Sequence, residues 1–300
     1  MQIDDRITGR SKIAGIIGNP LEHSISPQLH NTLSRLLGND LAYIPLRVEK
    51  NDLGNAVKGL IAVNAAGFNI TIPYKQDIMK HLDVISEEAL LYGAVNTVKN
   101  NGGKLYGYNT DADGFLRSFR EEAGIGFENR EVAVLGAGGA ARAIAVKIAL
   151  EKASRINIVN RTLSKASEIA EVINNKIRPA ASIFSPEEFE KQNVISRCDI
   201  IVNTTSIGMY PDVGSSPVNR AYTFLQSQVV YDVIYNPVKT RLLKDAEGSG
   251  CKVVNGLGML IYQGIYAYEI WTGLKVSESV VKELFKLLLE YWEHAIIREE

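Results

Sequence analysis

Residues 131–150 (EVAVLGAGGAARAIAVKIAL) leave few folds open to this chain. Five apolar-rich residues read as a buried strand. A glycine turn follows, and then an alanine-rich run with the spacing of a helix. In Gly136-x-Gly138-x-x-Ala141 the first glycine permits the tight turn and the second lets the backbone approach a pyrophosphate. The small third residue lets helix and strand pack closely. The helix start then presents unpaired N–H groups to phosphates. The strand and helix around it make this a dinucleotide-binding unit of a doubly wound α/β domain, with Gly136, Ala137, Gly138, Gly139, Ala140 and Ala141 as its phosphate turn.

The next strand, residues 155–159, ends at Asn160-Arg161-Thr162, with Lys165 close behind. An NAD site usually carries an acid there, about twenty residues past the turn, to hold the ribose 2′-hydroxyl. Here a cation stands in that place. A guanidinium grips phosphate through two parallel N–H bonds. The expected cofactor is therefore NADP, with Arg161 reading its 2′-phosphate. Residues 199–202 and 229–233 read as further strands of this domain, and Asn203-Thr-Thr-Ser206 is a turn at the end of one of them.

The pattern ahead of this domain is again strand and helix. Residues 12–18 read as a strand, and Ser26-Pro27 as a helix start with Ser26 as N-cap. That helix runs to about Leu37. Residues 41–48, 53–63 and 66–72 read as strand, helix and strand, the rhythm of a largely parallel sheet. The last strand ends in Asn69-Ile-Thr-Ile-Pro-Tyr-Lys75. A lysine just past an apolar strand can exchange a proton near neutral pH when burial tunes it. Ser24 and Ser26, at a helix start, make an anion pocket without a formal positive charge. The tail reads as two helices, from Met259 to about Thr272 and from about Ser279 to Ile297. Gln263 is an amide set within the first of them, and a buried amide needs partners.

Net charge is −1, which gives no electrostatic case for nucleic acid or an anionic membrane as partner. Two distant cysteines and four scattered histidines form neither a disulfide framework nor a ligand set, so no metal is expected. No segment reaches transmembrane length and no apolar leader is evident, so the expected location is cytoplasmic.

Nine blocks occur in a telling order: Gly18 to Pro27, Asn69 to Lys75, Gly93 to Thr97, Gly107 to Asp111, Gly136 to Ala141, Asn160 to Thr162, Asn203 to Ser206, Asp232 to Pro237 and Asn255 to Met259. The series resembles the shikimate dehydrogenase family, from about residue 13 to about residue 290. The resemblance implies an oxidoreductase of the shikimate pathway that interconverts 3-dehydroshikimate and shikimate with NADP. It implies a substrate domain of residues 1–112 and 248–300, an NADP domain of residues 113–247, an active-site cleft between them, and C-terminal helices returning to the first. It makes Lys75 and Asp111 the catalytic pair, since Asp113 is excluded only by the block pattern. Ser24, Ser26 and Tyr235 would hold the substrate carboxylate, and Thr71, Asn96 and Gln263 its ring hydroxyls. On the cofactor side it adds Asn160, Thr162, Lys165, Thr204, Ser206, Met209, Gly256 and Met259. The oligomer stays open between monomer and homodimer.

Three rivals bear on this. Quinate, or mixed, dehydrogenases of the family often carry threonine at the second serine position and an acid in the cofactor motif, whereas this chain has Ser26 and Arg161. Against another two-domain NADP enzyme with a catalytic lysine, of the methylenetetrahydrofolate dehydrogenase kind, stand the Ser-x-Ser-Pro block and the Thr71 to Lys75 block. A noncatalytic NADP sensor would be expected to lose Lys75 or Asp111, and both are present.

Overall fold

Two six-stranded sheets organise the chain, one in each of two units. The computed structural model describes residues 7–22, 24–219 and 222–296. By its internal contacts the chain divides into residues 1–110 with 263–300, and residues 111–262.

The first unit contains β1 (Lys12–Gly18), α1 (Ser26–Leu37), β2 (Leu41–Arg47), α2 (Leu53–Ala62), β3 (Gly67–Ile70), β4 (Val84–Ile85), α3 (Glu87–Tyr92), β5 (Thr97–Asn101) and β6 (Lys104–Tyr108). Its sheet order is β2-β1-β3-β5-β6-β4. β1 pairs in parallel with β2 and β3, as the strand and helix rhythm requires. Beyond β3 two pairings are antiparallel, β3 with β5 and β5 with β6 in a hairpin across Gly102-Gly103, and the short β4 then pairs in parallel with β6. The expectation of a largely parallel sheet therefore holds for three of its five pairings, and the hairpin strand β5 is the exception. Strand β2 is a free edge, and it is blunted. Asn31 takes both the N–H and the C=O of Tyr43 at 2.9 Å. The next edge position, Pro45, has no N–H to offer. Ile17, Val57, Phe68, Ile70, Val95 and Val98 fill the core beneath α2.

The second unit contains α4 (Asp111–Ala123), β7 (Glu131–Leu135), α5 (Gly139–Leu150), β8 (Arg155–Val159), α6 (Leu163–Lys176), β9 (Ala181–Phe184), α7 (Pro186–Lys191), β10 (Ile200–Asn203), β11 (Val229–Asp232), α8 (Arg241–Gly248) and β12 (Lys252–Val254). Every pairing is parallel, in the order β12-β11-β10-β7-β8-β9. That is the doubly wound dinucleotide order, which changes direction between β7 and β10. Helix α5 is buried almost all round, since residues 143 to 149 are each nearly inaccessible. Its one cation there, Lys147, pairs with Asp113 of α4 at 2.7 Å.

Two C-terminal helices complete the chain, α9 (Leu257–Thr272) and α10 (Glu278–Ile296). The division between the units falls inside α9, after Tyr262. The part from Gln263 onward belongs with the first unit, as the sequence implies for the tail. The expected end of the last helix, Ile297, lies outside the described residues. The domain boundary at residue 247 is placed too early, because Lys252–Val254 pairs with Val229–Asp232 as the sixth strand of the second sheet. Three residues are too short a run to stand out as a strand in sequence. Among the described residues no helix is long and apolar enough to cross a membrane.

Candidate active site

In the first unit, the chain leaving β3 carries Thr71 to Lys75 and is pinned at both ends. Thr71 N–H donates to the Ile17 carbonyl at 2.9 Å, and Tyr74 N–H turns back to the Thr71 carbonyl at 2.9 Å. The Tyr74 ring is buried, and its hydroxyl donates to the Val48 carbonyl at 2.6 Å. Val95 N–H donates to the Lys75 carbonyl at 2.8 Å. The lysine is thus fixed beside the start of β5, and its side chain is half-buried.

Asn96 sits at that start, and it is buried. The β5–β6 hairpin returns the chain so that Thr110 lies against it. Thr110 N–H donates to Asn96 Oδ1 at 2.8 Å, and Asn96 Nδ2 donates to Thr110 Oγ1 at 3.0 Å. Thr97 Oγ1 donates to the same carboxamide oxygen at 3.0 Å. The structure therefore brings Lys75 and Asn96 together through one backbone hydrogen bond and the hairpin. Thr71 is half-buried one turn before the lysine. Gln263 is half-buried on α9, which Trp271 ties to the sheet by an Nε1–H bond to the Val98 carbonyl at 2.9 Å.

Ser24 and Ser26 stand at the start of α1, but the capping differs from expectation. The N-cap is Ile25, with Ser26 the first helical residue and Pro27 the second. No side chain caps the helix in the usual sense, and Ser26 N–H instead donates to Ser24 Oγ at 3.4 Å. Proline is tolerated throughout the first turn, so Ser-Pro did not define the cap.

The second unit holds Asp111, Tyr235 and the cofactor candidates. Asp111 opens α4, where a carboxylate complements the helix dipole. Its neighbour Asp113 pairs with Lys147 at 2.7 Å. Tyr235 is half-buried, and burial raises its phenol above the usual range, so it stays a hydroxyl donor at neutral pH.

Gly136 follows β7 at φ +111°, a conformation that favours glycine, and a Cβ there would lie 2.7 Å from Thr204 Oγ1. Gly138 and Gly139 face open space at the start of α5, with no atom within 4 Å of where a Cβ would stand. Ala141 is fully buried against the sheet. This turn lies at the point where the strand order changes direction, with Thr204, Ser206 and Met209 on the turn after β10. Such a concavity of open glycines and helix N–H groups fits a pyrophosphate. Thr204 Oγ1 is bound to the Leu135 carbonyl at 2.6 Å, so its hydroxyl serves the turn. Asn160 likewise donates to the Thr162 carbonyl at 2.9 Å. Arg161, Thr162 and Lys165 are exposed beside them, and among the described residues neither cation has an ion-pair partner. Two uncommitted cations at the end of β8 fit the extra phosphate of NADP. Gly256 is pressed against Val233, whose carbonyl oxygen would lie 2.0 Å from a Cβ, and Met259 follows on α9. That packing sets the path of the Val233 to Tyr235 segment.

Sequence reasoning missed the buried cluster beneath that segment. Asp232, wholly inaccessible, accepts from Asn203 Nδ2 at 3.0 Å, Thr240 Oγ1 at 2.7 Å and Ile234 N–H at 3.1 Å. Burial pushes its carboxyl up to about 6, and these donors offset part of the effect. A carboxyl raised on folding favours the folded state most when neutral. That contribution is complete below its unfolded value near 4 and is lost as pH rises through about 6. Over that window wild-type stability should fall by up to about 3 kcal/mol relative to Asp232→Asn, which keeps the shape without the charge. Chemical denaturation at pH 4 and pH 7 measures it, and equal slopes for the two proteins would refute the assignment.

The chain is similar to known proteins along most of its length. Family models match for the shikimate dehydrogenase substrate binding domain over residues 16–98, shikimate / quinate 5-dehydrogenase over residues 120–228, and the shikimate 5′-dehydrogenase C-terminal domain over residues 256–284. The shikimate dehydrogenase (NADP(+)) of Caldanaerobacter subterraneus subsp. tengcongensis is 45% identical over 278 residues, covering 93% of this chain and 98% of that protein. The shikimate 5-dehydrogenase of Listeria monocytogenes, solved with shikimate and NAD, is 39% identical with a TM-score of 0.89, covering 94% of this chain and 99% of that one. The quinate dehydrogenase of Corynebacterium glutamicum, solved with NAD, is 32% identical with a TM-score of 0.85, covering 92% of this chain and 98% of that one.

Proposed function

The chain belongs to the shikimate dehydrogenase family, and from that premise we propose how its residues divide the work of an NADP-dependent shikimate dehydrogenase. The reaction is the reversible reduction of 3-dehydroshikimate to shikimate, a step of aromatic amino acid biosynthesis. The first unit takes the substrate and the second takes NADP. When bound, NADPH supplies the hydride to the ketone carbon.

The ketone oxygen gains negative charge as that bond forms. Lys75, protonated, gives it a proton, and in the reverse direction neutral Lys75 takes the proton back. Asp111 accepts a hydrogen bond in the same step. Ser24, Ser26 and Tyr235 hold the carboxylate with neutral donors. Thr71, Asn96 and Gln263 meet the ring hydroxyls, since a polyol needs both donors and acceptors. Gly136 to Ala141 cradle the pyrophosphate, Arg161 and Lys165 take the 2′-phosphate with Asn160 and Thr162 shaping their turn, and Thr204, Ser206, Met209, Gly256 and Met259 line the rest. The observation that carries this reading is Lys75, pinned by its backbone next to the buried Asn96 cluster. Both cysteines are free and buried, which fits a reducing cytoplasm, and the oligomer stays open between monomer and homodimer.

The test is the initial rate at the nicotinamide absorbance with shikimate or quinate, each paired with NADP or NAD. Fast turnover only with shikimate and NADP is expected. Comparable rates with quinate or NAD would move the chain to the quinate or mixed branch of the family. Folded, NADP-binding protein with no turnover would replace an enzyme by a sensor.

A further inference from the structure

Tyr43 and Asn69 have no part in the assignment above, although Asn69 lies in the run that ends at Lys75. Both are buried. Asn69 and Thr97 are register partners on β3 and β5, so their side chains stand together. Asn69 Nδ2 donates to the Asn96 carbonyl and to Thr97 Oγ1, both at 3.0 Å. A backbone carbonyl only accepts, so this bond sets the orientation of the amide. Its Oδ1 consequently faces Tyr43, and the Tyr43 hydroxyl donates to it at 2.7 Å.

The proton order then runs on through the cluster. Thr97 receives an N–H from Asn69, and Thr97 and Thr110 hydroxyls stand 3.1 Å apart. Whichever threonine proton is passed between them, one hydroxyl proton reaches Asn96 Oδ1, from Thr97 at 3.0 Å or Thr110 at 3.2 Å. That oxygen also holds Thr110 N–H at 2.8 Å. With both lone pairs of its oxygen taken and one Nδ2 proton given to Thr110 Oγ1 at 3.0 Å, Asn96 can address a ligand only as a donor, through Nδ2.

The Tyr43 ring is itself immobilised. His30, fully buried, stacks on it with centroids 4.2 Å apart and planes 22° apart, and Trp271 closes in at 5.9 Å. Burial pushes His30 down to about 3, with Asn69 pulling the other way, so a neutral ring makes this stack. The Ser26 side chain faces the same phenol.

We propose that Tyr43 is a positioning residue for substrate binding, which acts through Asn69 to hold Asn96 as a hydrogen-bond donor to a ring hydroxyl. The proposal rests on the reading of Asn96 as a substrate contact. Removing the Tyr43 hydroxyl takes from the buried Asn69 Oδ1 the donor that holds it, and the cluster relieves that by shifting.

Kinetics of Tyr43→Phe, Asn96→Ala and the double variant test it, with thermal unfolding as a check on fold. Tyr43→Phe should raise KM for shikimate about five- to tenfold, with kcat within about twofold and KM for NADP unchanged. Asn96→Ala should raise KM for shikimate further, and adding Tyr43→Phe to it should change nothing more. Independent, multiplying effects, or a silent Tyr43→Phe beside an impaired Asn96→Ala, would overturn the role of Tyr43 and leave the function intact. A silent Asn96→Ala would overturn the assignment of Asn96, and the inference with it. If Asn96→Ala does not fold, Thr97→Val cuts the same chain of hydrogen bonds with little change in shape, and the same non-additivity with Tyr43→Phe is expected.

Discussion

Lys75→Ala is expected to lower kcat about a thousandfold and to change KM for shikimate by no more than a few-fold. A ketone that accepts hydride becomes an alkoxide, which is far too basic to be left bare near neutral pH. A donor held at the oxygen removes that charge as it forms, and positioned acid catalysis is worth about 10²–10⁴ in rate. The loss should fall on kcat because the proton moves only in the transition state, whereas the carboxylate and ring contacts that set ground-state affinity stay in place.

The architecture makes this a clean experiment. The Lys75 backbone is held by Val95 N–H at 2.8 Å, and the preceding Tyr74 is anchored to the Val48 carbonyl at 2.6 Å. Truncation beyond Cβ touches neither bond, so fold and substrate site should survive. Lys75→Ala with added methylamine should regain part of the rate, since a free ammonium can enter the space the side chain leaves. Near-normal turnover of Lys75→Ala without amine would end the assignment of Lys75 as proton donor.

The second unit was legible because its signals are local. Residues 131–135 and 155–159 are short apolar strands whose limits the structure reproduces, and the turn between β7 and α5 needs a glycine at φ +111°. Helix α4 was left out, although Ala112, Phe115, Leu116, Phe119 and Ala123 repeat on one buried face. Its four acidic residues and internal glycine obscure the stripe.

The first unit was legible in its parallel part and not beyond it. The hairpin Thr97–Asn101 and Lys104–Tyr108 is half polar, and Gly102-Gly103 was its only sharp mark. Missing the hairpin hid the reason Asn96 meets Thr110, fourteen residues on. The Tyr43 and Asn69 link could not be read at all from one sequence. Those residues are 26 positions apart and share no motif, and only the pairing of β1 with β2 and β3 sets them side by side. Family blocks name the residues that touch ligands; the register of the sheet decides which others stand behind them.

Arg161→Ala should reduce the preference for NADP over NAD, taken as the ratio of kcat/KM values, by about a hundredfold. A charge-assisted bidentate contact with a phosphate is stronger than a neutral hydrogen bond, which contributes about 1 kcal/mol, and a factor of one hundred corresponds to about 2.7 kcal/mol. The loss should fall on NADP alone, because NAD has no 2′-phosphate to lose. Arg161→Lys keeps the charge but not the planar fork, so it should recover only part of the preference. Lys165, two residues inside the start of α6, supplies a second cation at the same place. Adding Lys165→Ala should therefore bring the two cofactors close to parity. Both cations are exposed, so salt should screen them. KM for NADP should rise with ionic strength in the wild type, and that slope should flatten in the double variant. An unchanged cofactor ratio in Arg161→Ala would show that the phosphate is read elsewhere, and an equal loss with NAD would show that Arg161 serves the fold of the turn rather than the choice of cofactor.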